Sequence, residues 1–201
     1  MIDLTIRNAT PLRGEAPVDI AVDSGFIIEC KAGVQLSSVQ ELNVENRLVI
    51  PGFVDPHVHL DIALMNSWSY PGREAPFREG HEPNQRVEER RKSFTLEDIK
   101  YRAGTALEMA VRHGVTAVRA QCHVDPEVGL KHLKALREIK EQYAGRVDVQ
   151  IVAFPQQGLL RHPGTIDLFR EALTSGADVM GGAANLDVDI QKHIDIALQL
   201  A

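Results

Sequence analysis

The 201-residue sequence predicts an α/β chain: a short β-rich segment followed by a parallel sheet with helices between its strands. Two observations carry that reading. Over residues 1–50, apolar and polar residues alternate in short runs, the period-two signature of half-buried strands. After residue 94, stretches of helical period alternate with apolar strands, and three times a helix ends at a glycine and passes straight into a strand. Strands that alternate with helices are joined by crossovers, and crossovers make a parallel sheet.

In chain order, "DLTIRNA" and "VDIAVDSGFII" read as strands, the second broken by a turn at Asp23-Ser24-Gly25. "RLVIPGFVDPHVHLD" is more continuously apolar, which suits a strand buried on both faces. Residues 62–94 lose periodicity and are rich in Pro, Gly, Glu and Arg. Such a length inside a compact domain suits a binding loop, or a surface segment with a helical end at "RVEERRKS". Thr95 then caps a helix whose apolar face runs through Leu96, Ile99, Ala103, Ala106, Leu107 and Ala110 and which stops at Gly114. "VTAVRAQC" is the next strand. Asp125 caps a second helix, with Pro126 in its first turn and Leu130, Leu133, Leu136 and Ile139 on its buried side. "VDVQIVAF", a helix through Phe169 and Ala172, "ADVMGGAA", and a fourth helix at "IQKHIDIALQLA" complete the alternation.

Composition narrows the function classes. At 44% hydrophobic and 25% charged residues the chain can bury a core. A formal net charge of -6 argues against nucleic acid and anionic membranes as partners. No apolar run is long enough to span a bilayer, and "MIDLTIRNAT" lacks the basic start and apolar stretch of a signal peptide. The only two cysteines, Cys30 and Cys122, are far apart in sequence, which fits a reducing cytoplasm and argues against a disulfide.

The chemistry concentrates in "PGFVDPHVHLD". On a strand, residues two apart share a face, so His57 and His59 project together, with Val58 turned away. Neutral imidazoles are good ligands for zinc or iron, and this pair ends its strand on the side where parallel barrels build their sites.

"VIPGFVDPHVHLD" strongly resembles the first barrel strand of the amidohydrolase superfamily. "LTIRNATPL", "VDIAVDSGFI" and "RLVIPGFVD" resemble its small accessory β-domain. "HVDP", "VQIVAFPQQGLL" and "GADVMGGAANLD" resemble the cytosine deaminase branch. The resemblance implies a (β/α)8 TIM barrel, here its first four β/α units over residues 51–201, preceded by part of an accessory β-domain over residues 1–50. It implies His57 and His59 as ligands of one divalent metal ion, zinc or iron, and Gln156 as a contact to a pyrimidine-like substrate. Asp61 is expected to support the metal site, and His123 to support it or shape the pocket. "ADVMGGAANLD" lacks the lysine that bridges two metals elsewhere in the superfamily, which favours a single ion. His81, His113, His132, His162 and His193 are expected at the surface, and Cys122 as a small buried residue.

By the same resemblance the substrate is a small amino-heterocycle, deaminated by metal-activated water. Opening of a cyclic amide and dealkylation of an amino-triazine are the alternatives. The remaining ligands and an acid/base glutamate belong to later strands, beyond residue 201, and a complete barrel needs about 250 residues. The chain alone is therefore expected to be inactive, needing a complementing C-terminal half or associating with itself, or else to be a non-catalytic fragment.

Overall fold

A computed structural model describes residues 1–13, 16–65 and 90–201. The chain divides into two compact units, Met1–Pro51 and Gly52–Ala201. The expected binding loop and His81 lie mostly or wholly within residues 66–89, outside the described residues.

The first unit is a five-stranded sheet. Strands β1 (Ile2–Pro11), β2 (Val18–Asp23), β3 (Phe26–Lys31) and β4 (Ser38–Asn43) lie in the order β3-β2-β1-β4, and the short β5 (Leu48–Val49) pairs with the end of β1. The pairs β1–β2 and β2–β3 are antiparallel. The β2–β3 hairpin closes through Ser24 and Gly25, both at positive φ, the two-residue turn whose twist matches that of the strands it joins.

The second unit holds the parallel sheet, in the order β6-β7-β8-β9: β6 (Phe53–Val58), β7 (Val115–His123), β8 (Asp148–Phe154) and β9 (Val179–Met180). Between and after the strands run α1 (Leu96–Arg112), α2 (Lys131–Gln142), α3 (Thr165–Thr174) and α4 (Ile190–Leu200). Thr95 caps α1, its hydroxyl accepting from Asp98 N at 3.1 Å, and α1 buries Ile99, Ala103 and Leu107 as its periodicity predicts. Gly114, at φ 84°, turns the chain out of α1 and into β7. Leu133, Leu136 and Ile139 of α2 and Phe169 and Ala172 of α3 pack on Ala120, Cys122, Ile151 and Ala153 of the central strands, forming one core.

Four expectations are corrected. β6 is not buried on both faces: Phe53 and Val54 are 55% and 65% exposed. The reason is position, because β6 is an edge strand that pairs only with β7 among the described residues, whereas β7 and β8 are flanked on both sides. Asp125 does not begin α2. Its Oδ1 accepts from Glu127 N at 2.9 Å and Val128 N at 3.2 Å, so it caps a separate turn, and the helix starts at Lys131. β9 is only two residues long, pairing with β8 alone. His132 and His193 are not surface residues but 0% and 1% exposed. His113 and His162 are exposed, as expected.

Candidate active site

His57 lies in the last turn of pleat of β6, and His59 stands just past the strand, immediately before a 3-10 turn over Leu60–Ile62. Their ring centroids are 5.3 Å apart with planes inclined at 63°. Phe154, the last residue of β8, meets both rings edge-on, with centroids 6.3 Å from His57 and 5.6 Å from His59. The strand alternation thus brings the two imidazoles together at the C-terminal end of the sheet, against an aromatic wall from the strand two places along. His57 is exposed and His59 half-buried.

Two residues on, Asp61 is wholly buried and acts as a hub. Its Oδ2 accepts three hydrogen bonds, from His123 N at 2.9 Å, His123 Nδ1 at 2.8 Å and His132 Nδ1 at 2.9 Å. A carboxylate has only acceptors to offer, so both rings must direct Nδ1–H at it. Burial by itself raises the Asp61 carboxyl pKa. The charges and hydrogen bonds of His123 and His132 outweigh that and hold it well below the usual carboxylate range. Burial pushes the His59 pKa down, Asp61 opposes it, and His123 and His57 add to it, which favours the neutral, metal-binding form of the ring.

The backbone that follows His59 is fixed from α1. Arg102, 1% exposed, donates from Nη1 to the Ala63 carbonyl at 2.6 Å and from Nη2 to the Asp61 carbonyl at 3.1 Å, while its Nε meets Asp98 Oδ2 at 3.1 Å. Beside the hub, fully buried Arg91 pairs with Asp125 Oδ2 at 2.5 Å and Glu127 Oε2 at 3.2 Å, and its own carbonyl lies 3.4 Å from His132 Nε2.

Two buried atoms have no hydrogen-bond partner among the described residues of this site: His59 Nδ1 and Asp61 Oδ1. Leaving a buried polar atom unpaired costs about 1–3 kcal/mol, so such atoms call for a reason. One potential ligand atom each from His59, Asp61 and His123 lie within 4.8 Å of one another. Two imidazoles and a carboxylate form a donor set that suits a divalent metal; His57, though its ring stands beside that of His59, is not one of the three. Cys122, also buried here, is a poor additional candidate, because burial pushes its thiol well up and Asp61 adds to the effect.

Gln156 follows β8 by two residues, in a half-buried turn that starts from Phe154: Gln156 N donates to Phe154 O at 3.1 Å and Gly158 N to Pro155 O at 2.8 Å. The structure therefore attaches the Gln156 turn to the residue that walls the histidine pair.

His132, Arg91 and Arg102 belong to this arrangement and were not expected in it. A signal for His132 existed. It stands at i, i+4 and i+7 with Leu136 and Ile139, on the apolar face of α2. Arg102 carries only the i,i+4 spacing to Asp98, and nothing marks the contacts of Arg91 and Arg102 to residues 34 to 41 positions away.

No family profile matches the chain. N-isopropylammelide isopropyl amidohydrolase of Pseudomonas sp. (strain ADP) is 30% identical over a 209-residue alignment that covers 99% of this chain and 50% of that protein. The crystal structure of N-isopropylammelide isopropylaminohydrolase from Burkholderia multivorans superposes with a TM-score of 0.86 at 27% identity, covering 100% of this chain and 50% of the other. That of 5-methylcytosine deaminase from Klebsiella pneumoniae liganded with phosphonocytosine does so with a TM-score of 0.80 at 33% identity, covering 98% and 48%. The chain belongs to the amidohydrolase superfamily. It spans about half the length of these relatives. The parallel sheet β6–β9 with its helices is accordingly the superfamily's (β/α)8 TIM barrel, represented by four strand–helix units. Among the described residues, no helix is long and apolar enough to cross a membrane.

Proposed function

We propose that this chain is the N-terminal half of a metal-dependent hydrolase that breaks a C–N bond in an amino-substituted heterocycle. The observation that carries the reading is the His57–His59 pair at the end of β6, backed by two unpartnered buried atoms, His59 Nδ1 and Asp61 Oδ1. His57 and His59 would hold one divalent ion, zinc or iron, which when bound supplies Lewis-acid activation of water. Asp61 supports that pair by fixing the ring of His123 next to His59, their centroids 5.6 Å apart. Phe154 closes the side of the site against bulk water. Gln156 reads the substrate, since a carboxamide both donates to and accepts from an amide-like ring edge.

Two substrate readings follow. Cytosine-type deamination, releasing ammonia, is supported by the 5-methylcytosine deaminase relative and by Gln156. Removal of an alkylamine from an amino-triazine is supported by the N-isopropylammelide relatives, which match the chain over nearly its whole length. The first is the main reading. Proton transfer is assigned to no residue of this chain, so the 201 residues alone are expected to give no turnover. The exposed edge at Phe53 and Val54 suits a complementing half or a second copy, in a cytoplasmic setting.

The test combines this chain with the C-terminal half of the Burkholderia relative, with zinc or iron(II) added, and follows release of ammonia from cytosine and 5-methylcytosine beside release of isopropylamine from N-isopropylammelide. Ammonia release abolished by His57→Ala and by His59→Ala supports the main reading, and isopropylamine release the second. Equal activity with or without the two histidines overturns both.

A further inference from the structure

A second buried carboxylate–histidine pair lies on the same end of the sheet, away from the metal ligands. Asp187, just beyond the 3-10 turn Ala184–Leu186 that follows β9, has a side chain with 0% exposure. Its Oδ2 accepts from Leu159 N at 2.6 Å, Leu160 N at 3.1 Å and His193 Nδ1 at 2.7 Å, and its Oδ1 from Val188 N at 2.9 Å. His193, on the inner face of α4, accepts at Nε2 from Ala183 N at 3.1 Å. With a carboxylate at one ring nitrogen and an N–H at the other, the arrangement defines the neutral tautomer that carries its proton on Nδ1. One side chain of α4 thus orients Asp187 and ties it to the chain leaving β9.

The carboxylate also occupies space that the Gln156 turn leaves open. Gly158 ends that turn at φ 80°, and a Cβ there would stand 2.8 Å from the Asp187 carboxyl carbon. The turn is therefore gripped at both ends: Phe154 enters it from β8, and Leu159 and Leu160 leave it hydrogen-bonded to Asp187. Gln156 and Gln157 form the part in between.

We infer that Asp187 and His193 are positioning residues for Gln156, holding the Pro155–Gly158 turn in place beside Phe154, whose ring meets the histidine pair. The inference rests on the reading of Gln156 as the substrate contact. Neither residue touches substrate. They act through the backbone of Leu159 and Leu160, so their loss moves substrate recognition and leaves metal binding alone.

The experiment uses the 201-residue chain, with proton–nitrogen NMR of the Gln156 backbone and side-chain amides, assigned by comparison with Gln156→Ala and Gln157→Ala. Asp187→Asn is expected to speed amide exchange at Leu159 and Leu160 by about tenfold or more, as loss of hydrogen bonds to a charged acceptor implies. It should also shift both sets of Gln156 resonances, while Co2+ affinity stays within about twofold of the parent. His193→Gln keeps Asp187 and its backbone partners in place and should give the same pattern more weakly; it decides the matter if Asp187→Asn does not fold. Faster exchange at Leu159 and Leu160 with unmoved Gln156 resonances overturns the inference, because the pair then serves stability alone. Titration with 5-methylcytosine separates the underlying reading: if Gln156→Ala leaves the parent's response to the heterocycle unchanged, Gln156 is not the substrate contact, while the NMR comparison still decides what positions it.

Discussion

Asp61 and Asp187 both have fully buried side chains, both are bonded to a histidine Nδ1, and both stand in the connection that follows a parallel strand, yet they are satisfied differently. Asp187 takes three backbone N–H groups and one ring, with both oxygens used. Asp61 takes two rings and one backbone N–H on a single oxygen and leaves Oδ1 unpartnered among the described residues. The first pattern fixes loops, because backbone donors cannot move without the chain. The second fixes side chains and keeps one acceptor in reserve beside the His57–His59 pair. A carboxylate's partners thus separate a latch from a site even where burial and chemistry match.

Asp61→Ala should cost about 4 kcal/mol or more in urea unfolding, because two buried ring donors and an amide lose their acceptor together; a cost below that of Asp187→Asn would erase the distinction. Arg91→Met should cost about 3 kcal/mol by leaving Asp125, 2% exposed, with a buried unpaired charge, again by urea unfolding. Asp187→Asn should cost about 2 kcal/mol, the loss of charge-assisted bonds while an acceptor remains. The Asp187 carboxyl is held below its ordinary value of 3.8 by its hydrogen bonds from His193, Val188, Leu159 and Leu160, against the opposing effect of burial. Its contribution is therefore full above that ordinary value and is lost as pH falls through the folded one. The stability gap between the parent and Asp187→Asn should narrow on acidification below about pH 4, by the same measurement. Val54→Thr, at the exposed edge, should change the chain's own stability by no more than about 0.5 kcal/mol but reduce self-association in sedimentation.

Much of the fold was legible because its signals are local. The alternation of β1 and β2, the Thr95 cap and the apolar stripes of α1 and α2 each depend on residues within a turn or two of one another. The His57–His59 pair was legible for the same reason, since the strand period alone puts both rings on one side. What escaped depends on partners that no single element's periodicity reveals. The carboxylate that His132 meets, Asp61, is 71 residues away. That of His193, Asp187, is only six residues away, but it stands outside the helix, beyond the Asp189 cap. The exposure of β6 escaped for another reason. An apolar run records the surroundings a strand is suited to, and here the neighbour on one side is missing among the described residues. The proposal that Gln156 contacts substrate comes from the family resemblance alone, because its turn carries no chemical mark of its own.

The contact between Gly158 and Asp187 has a consequence for which sequences this fold can accept. A carboxylate standing where a Cβ would go makes positions 158 and 187 a single choice rather than two. Any side chain at 158 meets an occupied volume on a backbone already in the left-handed region, and replacing Asp187 to make room strands the amides of Leu159 and Leu160. Homologous sequences should therefore exchange these two positions together or not at all, so that the pair travels through sequence space as one inherited unit.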